Sequence, residues 1–402
     1  MKPRIGIFAP CVGVGGGDQF FSSLIRASRE IEWTGLHVQH GATYEQYGRA
    51  EYQAGGRVRF HQPFPPADGR RHPACEYHNG TEDSTRAAGD SADAIISWHC
   101  LDTAGVAHFF PKPIIEVSQN EDELAIRAGE QSESYASHRV AVSRAAGKAA
   151  FQDKDFQIIP NGIEADRCTP RFGRVVQRQL WAIPENQLTV LFAGRLSGEK
   201  NPECLIDALA LLPDFYNLLY VGTGPLVERI QDRASRVMPG RIRWIAEQEN
   251  LGDAFAASDV FVLPSDCEGD SLAAKEALVS GLPVILSDVG GAADTNAEFG
   301  GGLWEIIPKR PEPQELADAI LKVTSIPRVF DGPRTIALNN FTIGHISRRW
   351  EDMLQSIVFD AKRKLLDIQQ ARLIDRLQAT PVKMFISPRY KGREDEISNP
   401  RH

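Results

Sequence analysis

Asp266-Cys-Glu-Gly-Asp-Ser-Leu-Ala-Ala-Lys-Glu-Ala-Leu-Val-Ser-Gly-Leu-Pro-Val-Ile285 reads as a loop, a helix and the start of a strand. The apolar run Val260-Phe-Val-Leu-Pro264 ahead of it has the length and character of a buried strand. The pattern predicts a turn at Glu268-Gly269 and a helix over about 271–279. Ser280-Gly281 stops that helix, and Pro283 lies just beyond. The run 283–286 is the next strand. A strand–loop–helix–strand unit of this kind makes the two strands parallel. Its loop then lies at the carboxyl end of the sheet, where open α/β sheets bind ligands. Glu268 sits in the loop and Glu276 in the helix. The helix start offers unpaired N–H groups and a partial positive charge, which suit phosphate. A carboxylate on each side can accept hydrogen bonds from hydroxyls. That arrangement suits a nucleotide sugar, which carries hydroxyls at both ends of its pyrophosphate. The plainer alternative is a capped helix with two solvated carboxylates.

The chain has 402 residues, enough for two domains of ordinary size. Apolar residues make up 42% of it, enough for a core in each. The net charge of −8 gives no basic surface, so nucleic acid is not an expected partner. Six scattered cysteines without a C-x-x-C pair read as reduced, small apolar residues of a cytoplasmic protein. Met1-Lys-Pro-Arg runs directly into the strand-like segment 5–9, so no signal peptide is expected. No apolar run reaches the length of a membrane span.

Glu268-Gly269, Glu276-Ala277 and Gly281-Leu-Pro-Val-Ile resemble the E-x7-E signature of retaining glycosyltransferases of the GT-B fold, and glycosyltransferase family 4 in particular. Further segments extend the resemblance. Gly15-Gly-Gly-Asp-Gln-Phe20 is similar to the family's first glycine loop. Asp93-Ala-Ile-Ile-Ser-Trp-His99 is similar to its D-x-I-x-x-H segment. Pro160-Asn-Gly162, Gly194-Arg195-Leu with Lys200, Gly222-Thr-Gly-Pro225 and Asp288-Val-Gly-Gly291 match other blocks. The match is dense over the second half of the chain and patchy over the first.

The resemblance implies an α/β protein of two Rossmann-like parallel-sheet domains facing a cleft. The acceptor-side domain would be 1–165, the connection 166–186 and the nucleotide-sugar domain 187–340. Residues 341–402 would be a helix crossing back to the first domain, plus a tail. The implied reaction moves a hexosyl group from a nucleotide-diphosphate sugar, a UDP-sugar first, to an unidentified acceptor hydroxyl, with retention. Glu276 would bind ribose hydroxyls and Glu268 the donor-sugar hydroxyls. Arg195, Lys200 and the amides at Ser271-Leu272 would meet the diphosphate, with no cofactor and no metal. Gly15, Gly16, Gly17, Gly222 and Gln248 complete the expected donor contacts, and His99, Gln119, Asn120 and Asp270 are candidates for sugar or acceptor. Many relatives carry a histidine where Gln119 or Asn120 stands, and a neutral pair where Asp270-Ser271 stands. Asp270 is read first as a helix cap, with selection of a cationic sugar as the alternative. Those departures also allow two other functions: a nucleotide-sugar-binding protein without turnover, or a nucleotide-sugar epimerase.

Three segments have no firm reading. Residues 40–90 show weak periodicity and are expected to be loops with short strands. Residues 165–186 read as an irregular connection. From Thr342 to the end, twelve Lys and Arg stand against eight Asp and Glu. That modest excess fits a solvated helix or a homo-oligomer contact, with a weak membrane-surface contact as the alternative.

Overall fold

The computed structural model describes residues 2–12, 16–40, 42–65, 69–245, 250–326 and 331–379. Its first sheet has eight strands: β1 (Arg4–Ala9), β2 (Glu32–Val38), β3 (Phe60–Gln62), β4 (Cys75–Tyr77), β5 (Ala94–Trp98), β6 (Ile114–Ser118), β7 (His138–Ala141) and β8 (Gln157–Ile158). They lie in the order β4-β3-β2-β1-β5-β6-β7-β8, and every pairing is parallel. The second sheet holds β9 (Leu188–Ala193), β10 (Tyr216–Val221), β11 (Ile242–Ile245), β12 (Val260–Leu263), β13 (Val284–Ser287) and β14 (Glu305–Ile307). Its order is β11-β10-β9-β12-β13-β14, again all parallel.

Helical crossovers cover both faces of such sheets, so the central strands carry unbroken apolar runs rather than alternating ones. Every residue of β5, β10 and β12 is buried. In each sheet the strand order reverses beside the first strand. The crevice lies between the loops after β1 and β5 in one sheet, and between those after β9 and β12 in the other. Ligands of doubly wound folds bind at these switch points. The loops after β9 and β12 carry Arg195, Lys200 and Glu268.

The chain passes between the two sheets twice, and the two passages lie side by side. Ile163 N–H donates to Phe341 O at 2.8 Å, and Ile343 N–H donates to Ile163 O at 2.7 Å. The helix Ile343–Ala379 then places Ile346, Trp350, Leu354 and Ile357 in the core of the first sheet. Their spacing of three and four puts them on one helix face. Trp350 is fully buried and stacks on Trp98 of β5, with ring centroids 6.1 Å apart. From Phe359 onward the chain is a separate unit, helical as far as Ala379. Among the described residues no helix is long and apolar enough to cross a membrane.

Two segments are more ordered than the sequence suggests. Residues 40–90 hold two helices, Tyr44–Gln53 and Thr81–Gly89, besides β3 and β4. The first is polar, so its periodicity is weak, but a capping box of Thr43 and Gln46 starts it firmly. The connection holds the helix Arg174–Leu180, and its Arg178 is fully buried. The guanidinium donates to Asp259 Oδ2 at 2.8 Å, Thr189 Oγ1 at 2.9 Å, Ala257 O at 2.9 Å and Pro184 O at 3.0 Å. A buried arginine with its donors satisfied ties this helix to the second sheet.

Candidate active site

The helix Leu272–Val279 starts where its sequence says it should. Ser271 is the N-cap, and its hydroxyl accepts from Ala274 N–H at 3.3 Å. Glu268 lies in the loop before it. Its Oε1 accepts from Lys200 Nζ at 2.6 Å and from Ser265 Oγ at 2.7 Å. Oε2 has no partner among the described residues. The Glu268 and Lys200 side chains keep 15% and 21% of their exposure, so this pair faces a crevice rather than bulk water. A charge-assisted contact in such a place is stronger than on an open surface.

Lys200 ends a short 3-10 turn in the loop after β9. Asp266 N–H donates to Glu199 O at 2.7 Å, which joins this loop to the Glu268 loop. Arg195 is exposed on the same loop and makes no ion pair among the described residues. Gly222 follows β10 with φ +141°, and a Cβ there would lie 2.1 Å from Gly194 O. Only glycine fits so close to the Arg195 loop.

Glu276 is in a different setting. It is 6% exposed, and its carboxylate makes no hydrogen bond among the described residues. Burial pushes its carboxyl up to about 7, opposed by the charge of Arg167 and reinforced by that of Glu164. It opens on a cavity of about 190 Å³ shared with Gln19, Ser23, Glu164, Arg167 and Leu272. A buried carboxylate beside unfilled space is a ready acceptor for hydroxyl donors. A second cavity, of about 370 Å³, lies beside Glu268 and Ser271 and reaches Ser287, Gly290 and Thr295.

Asp270, between the two glutamates, has its carboxylate turned to other partners. It accepts from Asn161 N–H at 2.6 Å and pairs with Lys275 Nζ. Lys275 is almost fully buried, donates to Asn161 O at 3.0 Å and sits 4.7 Å over the Phe341 ring. Asn161 and Phe341 belong to the two passages between the sheets. Asp270 and Lys275 therefore anchor the donor-side loop to the crossing point. The helix cap is Ser271 rather than Asp270. Sequence reasoning passed over Lys275; the available signal was a lysine inside the otherwise apolar turn Leu272-Ala-Ala-Lys-Glu-Ala-Leu-Val279.

On the first sheet, His99 follows β5 with φ +53° and is buried. Its Nε2 accepts from Gln119 N–H at 2.7 Å. Burial pulls its pKa down to about 4, so the ring is neutral and carries its proton on Nδ1. Gln119 is buried, and its Nε2 has no partner among the described residues. Gly269 packs directly on it: a Cβ there would lie 1.5 Å from Gln119 O. The Asn120 side chain donates to Asp122 Oδ2 at 2.7 Å, within the turn that caps the next helix. Gly16 and Gly17 open the helix Gly16–Ala27. Gly15 and Gln248 lie outside the described residues.

Residues 174–331, which hold Arg195, Lys200, Gly222, Glu268 and Glu276, match one known family. This segment is similar to the glycosyl transferases group 1 family. The GDP-mannose-dependent alpha-(1-6)-phosphatidylinositol dimannoside mannosyltransferase of Mycobacterium tuberculosis is 32% identical over 168 residues, which cover 38% of this chain and 44% of that one. The D-inositol 3-phosphate glycosyltransferase of Streptomyces scabiei is 34% identical over 149 residues, 33% of each chain. The chain thus spans less than half the length of these relatives. Anabaena HepE in complex with UDP and glucose aligns with a TM-score of 0.70 at 18% identity, over 88% of this chain and 100% of HepE. WaaG, a glycosyltransferase involved in lipopolysaccharide biosynthesis, aligns with a TM-score of 0.59 at 16% identity, over 87% of this chain and 99% of WaaG. At these identities the likeness is one of fold, and the fold is GT-B. The expectation of two Rossmann-like parallel-sheet domains is met, and residues 174–331 carry the loops described above.

Proposed function

We propose that the protein is a retaining glycosyltransferase that moves a hexosyl group from a nucleotide-diphosphate sugar to an acceptor hydroxyl. The observation that carries this reading is the pair Glu268 and Glu276 set on either side of one helix start, the first paired with Lys200 and the second with a carboxylate that has no partner among the described residues. Glu276 takes the ribose hydroxyls in the cavity beside Arg167. The diphosphate lies at the amides of Ser271 and Leu272, between Arg195 and Lys200. Arg195 supplies a planar fork of donors and Lys200 a point charge, so the leaving group is neutralised by side chains. Glu268 Oε2 holds donor-sugar hydroxyls, and its charge favours the cationic character that develops at the anomeric carbon. The anomeric carbon–phosphate oxygen bond breaks and the bond to the acceptor oxygen forms on the same face. The acceptor proton passes to the departing diphosphate.

The donor is placed first as a UDP-sugar. GDP is the competing base, given a relative named for GDP-mannose. Thermal unfolding with UDP, GDP, ADP and their sugar conjugates separates them. A ligand at 100 times its dissociation constant adds about 2.7 kcal/mol of stability. The expected result is a shift with one base, abolished in Glu276→Ala. A shift that survives in the variant would remove Glu276 from the site. Release of the nucleoside diphosphate only when acceptor is present marks transfer, and NMR of the product gives its anomeric configuration. An inverted product would end the retaining assignment.

A further inference from the structure

Away from the donor loops, three side chains of the first sheet converge at strands β3 and β4. His61 and Glu76 are register partners across the parallel pair, so they share a face. His78 lies two positions beyond Glu76, which returns it to the same face. His61 Nδ1 and His78 Nε2 are 3.1 Å apart. Glu76 Oε2 is 3.9 Å from His61 Nδ1, and the three donor atoms all lie within 4.8 Å of one another.

We propose that His61, His78 and Glu76 form a divalent metal site that accepts zinc. Two imidazoles and one carboxylate make a ligand set that zinc accepts, with a fourth position left for water or an oxygen of a bound molecule. Zinc–nitrogen bonds of about 2.0–2.1 Å at a tetrahedral angle separate two ligand nitrogens by about 3.3 Å. The observed 3.1 Å is close to that separation. Glu76 is exposed, so its side chain is free to close the remaining distance.

The fold also holds the first ligand in place. His61 is 5% exposed and lies against β2, where a Cβ on Gly35 would come within 2.9 Å of His61 Nε2 and Cδ2. A side chain at position 35 would displace the ring. A neighbouring cluster, His37 with Cys100 and Asp102, is a weaker candidate. Both His37 nitrogens are already engaged, by Ser84 Oγ at 2.9 Å and Asp102 Oδ2 at 3.1 Å. The Cys100 thiol is buried, and its pKa is raised by that burial, which disfavours the thiolate that zinc requires.

The test uses the full chain without a histidine tag, stripped with a chelator and dialysed. Zinc uptake is measured by elemental analysis and titration, and cobalt serves as the visible probe of coordination. The expected result is one equivalent of zinc and cobalt bands of a four- or five-coordinate ion. His78→Gln and Glu76→Gln should each weaken zinc binding by at least about tenfold, since even outer-shell changes cost 10–100-fold. Both positions are less buried than His61, and their metal-free unfolding temperatures serve as the folding control. No uptake by the wild type would leave a simple hydrogen-bonded histidine pair. Equal uptake by both variants, or loss only in Cys100→Ala, would move the metal elsewhere and overturn the assignment.

Discussion

Glu268 and Glu276 are eight residues apart and belong to one loop and helix, yet the protein surrounds them in opposite ways. Glu268 keeps one oxygen on Lys200 and Ser265 and leaves the other open. Its Lys200 partner is in place before any ligand arrives. Glu276 is buried against the first domain, its carboxylate makes no hydrogen bond among the described residues, and its carboxyl is pushed up to about 7. Its charge is costly until hydroxyl donors or a cation compensate it. The difference separates two tasks. A carboxylate with a pre-set cation suits a place where charge develops during reaction, while an unpartnered one suits a place where binding supplies the partners.

The sharpest way to break this division is to loosen what lies between. Asp270 joins the two regions to the crossing point through Asn161 and Lys275. Asp270→Ala leaves the Lys275 ammonium buried without its carboxylate, a change that costs about 3–5 kcal/mol. The expected result in urea is a large fall in the unfolding midpoint. Asp270→Asn keeps an acceptor for Asn161 N–H but not the charge, and should also destabilise. A fall below about 1 kcal/mol in both variants, well under the cost of an uncompensated buried charge, would mean that the Lys275 charge is relieved by some other partner. The double variant Asp270→Ala, Lys275→Met removes both charges and should recover much of the loss.

The next effect is on turnover. Glu268→Gln keeps the shape of the side chain but removes the charge opposite Lys200. Lys200→Ala removes charge from the proposed diphosphate site. Each should lower kcat by about 10²–10³, the scale for deleting one group that stabilises transition-state charge. Glu276→Gln should act mainly on KM for the donor. Equal changes in kcat for Glu268→Gln and Glu276→Gln would erase the division of tasks.

The same contrast explains what could be seen in the sequence. β12, the Glu268 turn and the helix Leu272–Val279 were legible because apolar runs, a serine cap and a glycine stop are local signals. The second sheet as a whole was legible for that reason, and the resemblance to known blocks is dense there. In the first sheet the clearest local signals are the apolar runs of β1, β5 and β6. The helix Tyr44–Gln53 is polar with Gly48 inside it, and neither its capping box nor its place against the helix Gly16–Ala27 stands out from composition. The Asp270–Lys275–Asn161 arrangement joins residues more than a hundred positions apart, so no local pattern could show it. The pairing of Lys200 with Glu268 across 68 residues is another such case. Sequence identified both residues as site candidates but could not say that they meet.

The smallest effect is the most specific to Glu276. A carboxyl raised in the folded state stabilises the fold below its unfolded pKa and loses that contribution as pH rises through about 7. Every tenfold difference in proton affinity between the folded and unfolded chain corresponds to about 1.4 kcal/mol. The Glu116 carboxyl, buried and raised to about 8, acts in the same direction, so wild-type stability alone does not isolate Glu276. The difference between wild type and Glu276→Gln does, and the variant should gain relative stability as pH rises through about 7. Nucleotide binding should run the other way. Hydroxyl donors favour the carboxylate, so affinity should fall as pH drops through about 7, with a proton released on binding below that point. Calorimetry in buffers of different ionisation enthalpy reads that proton directly. Affinity that stays constant across that range, with no proton released, would mean that the ligand does not touch Glu276, and the two glutamates would no longer flank a common donor.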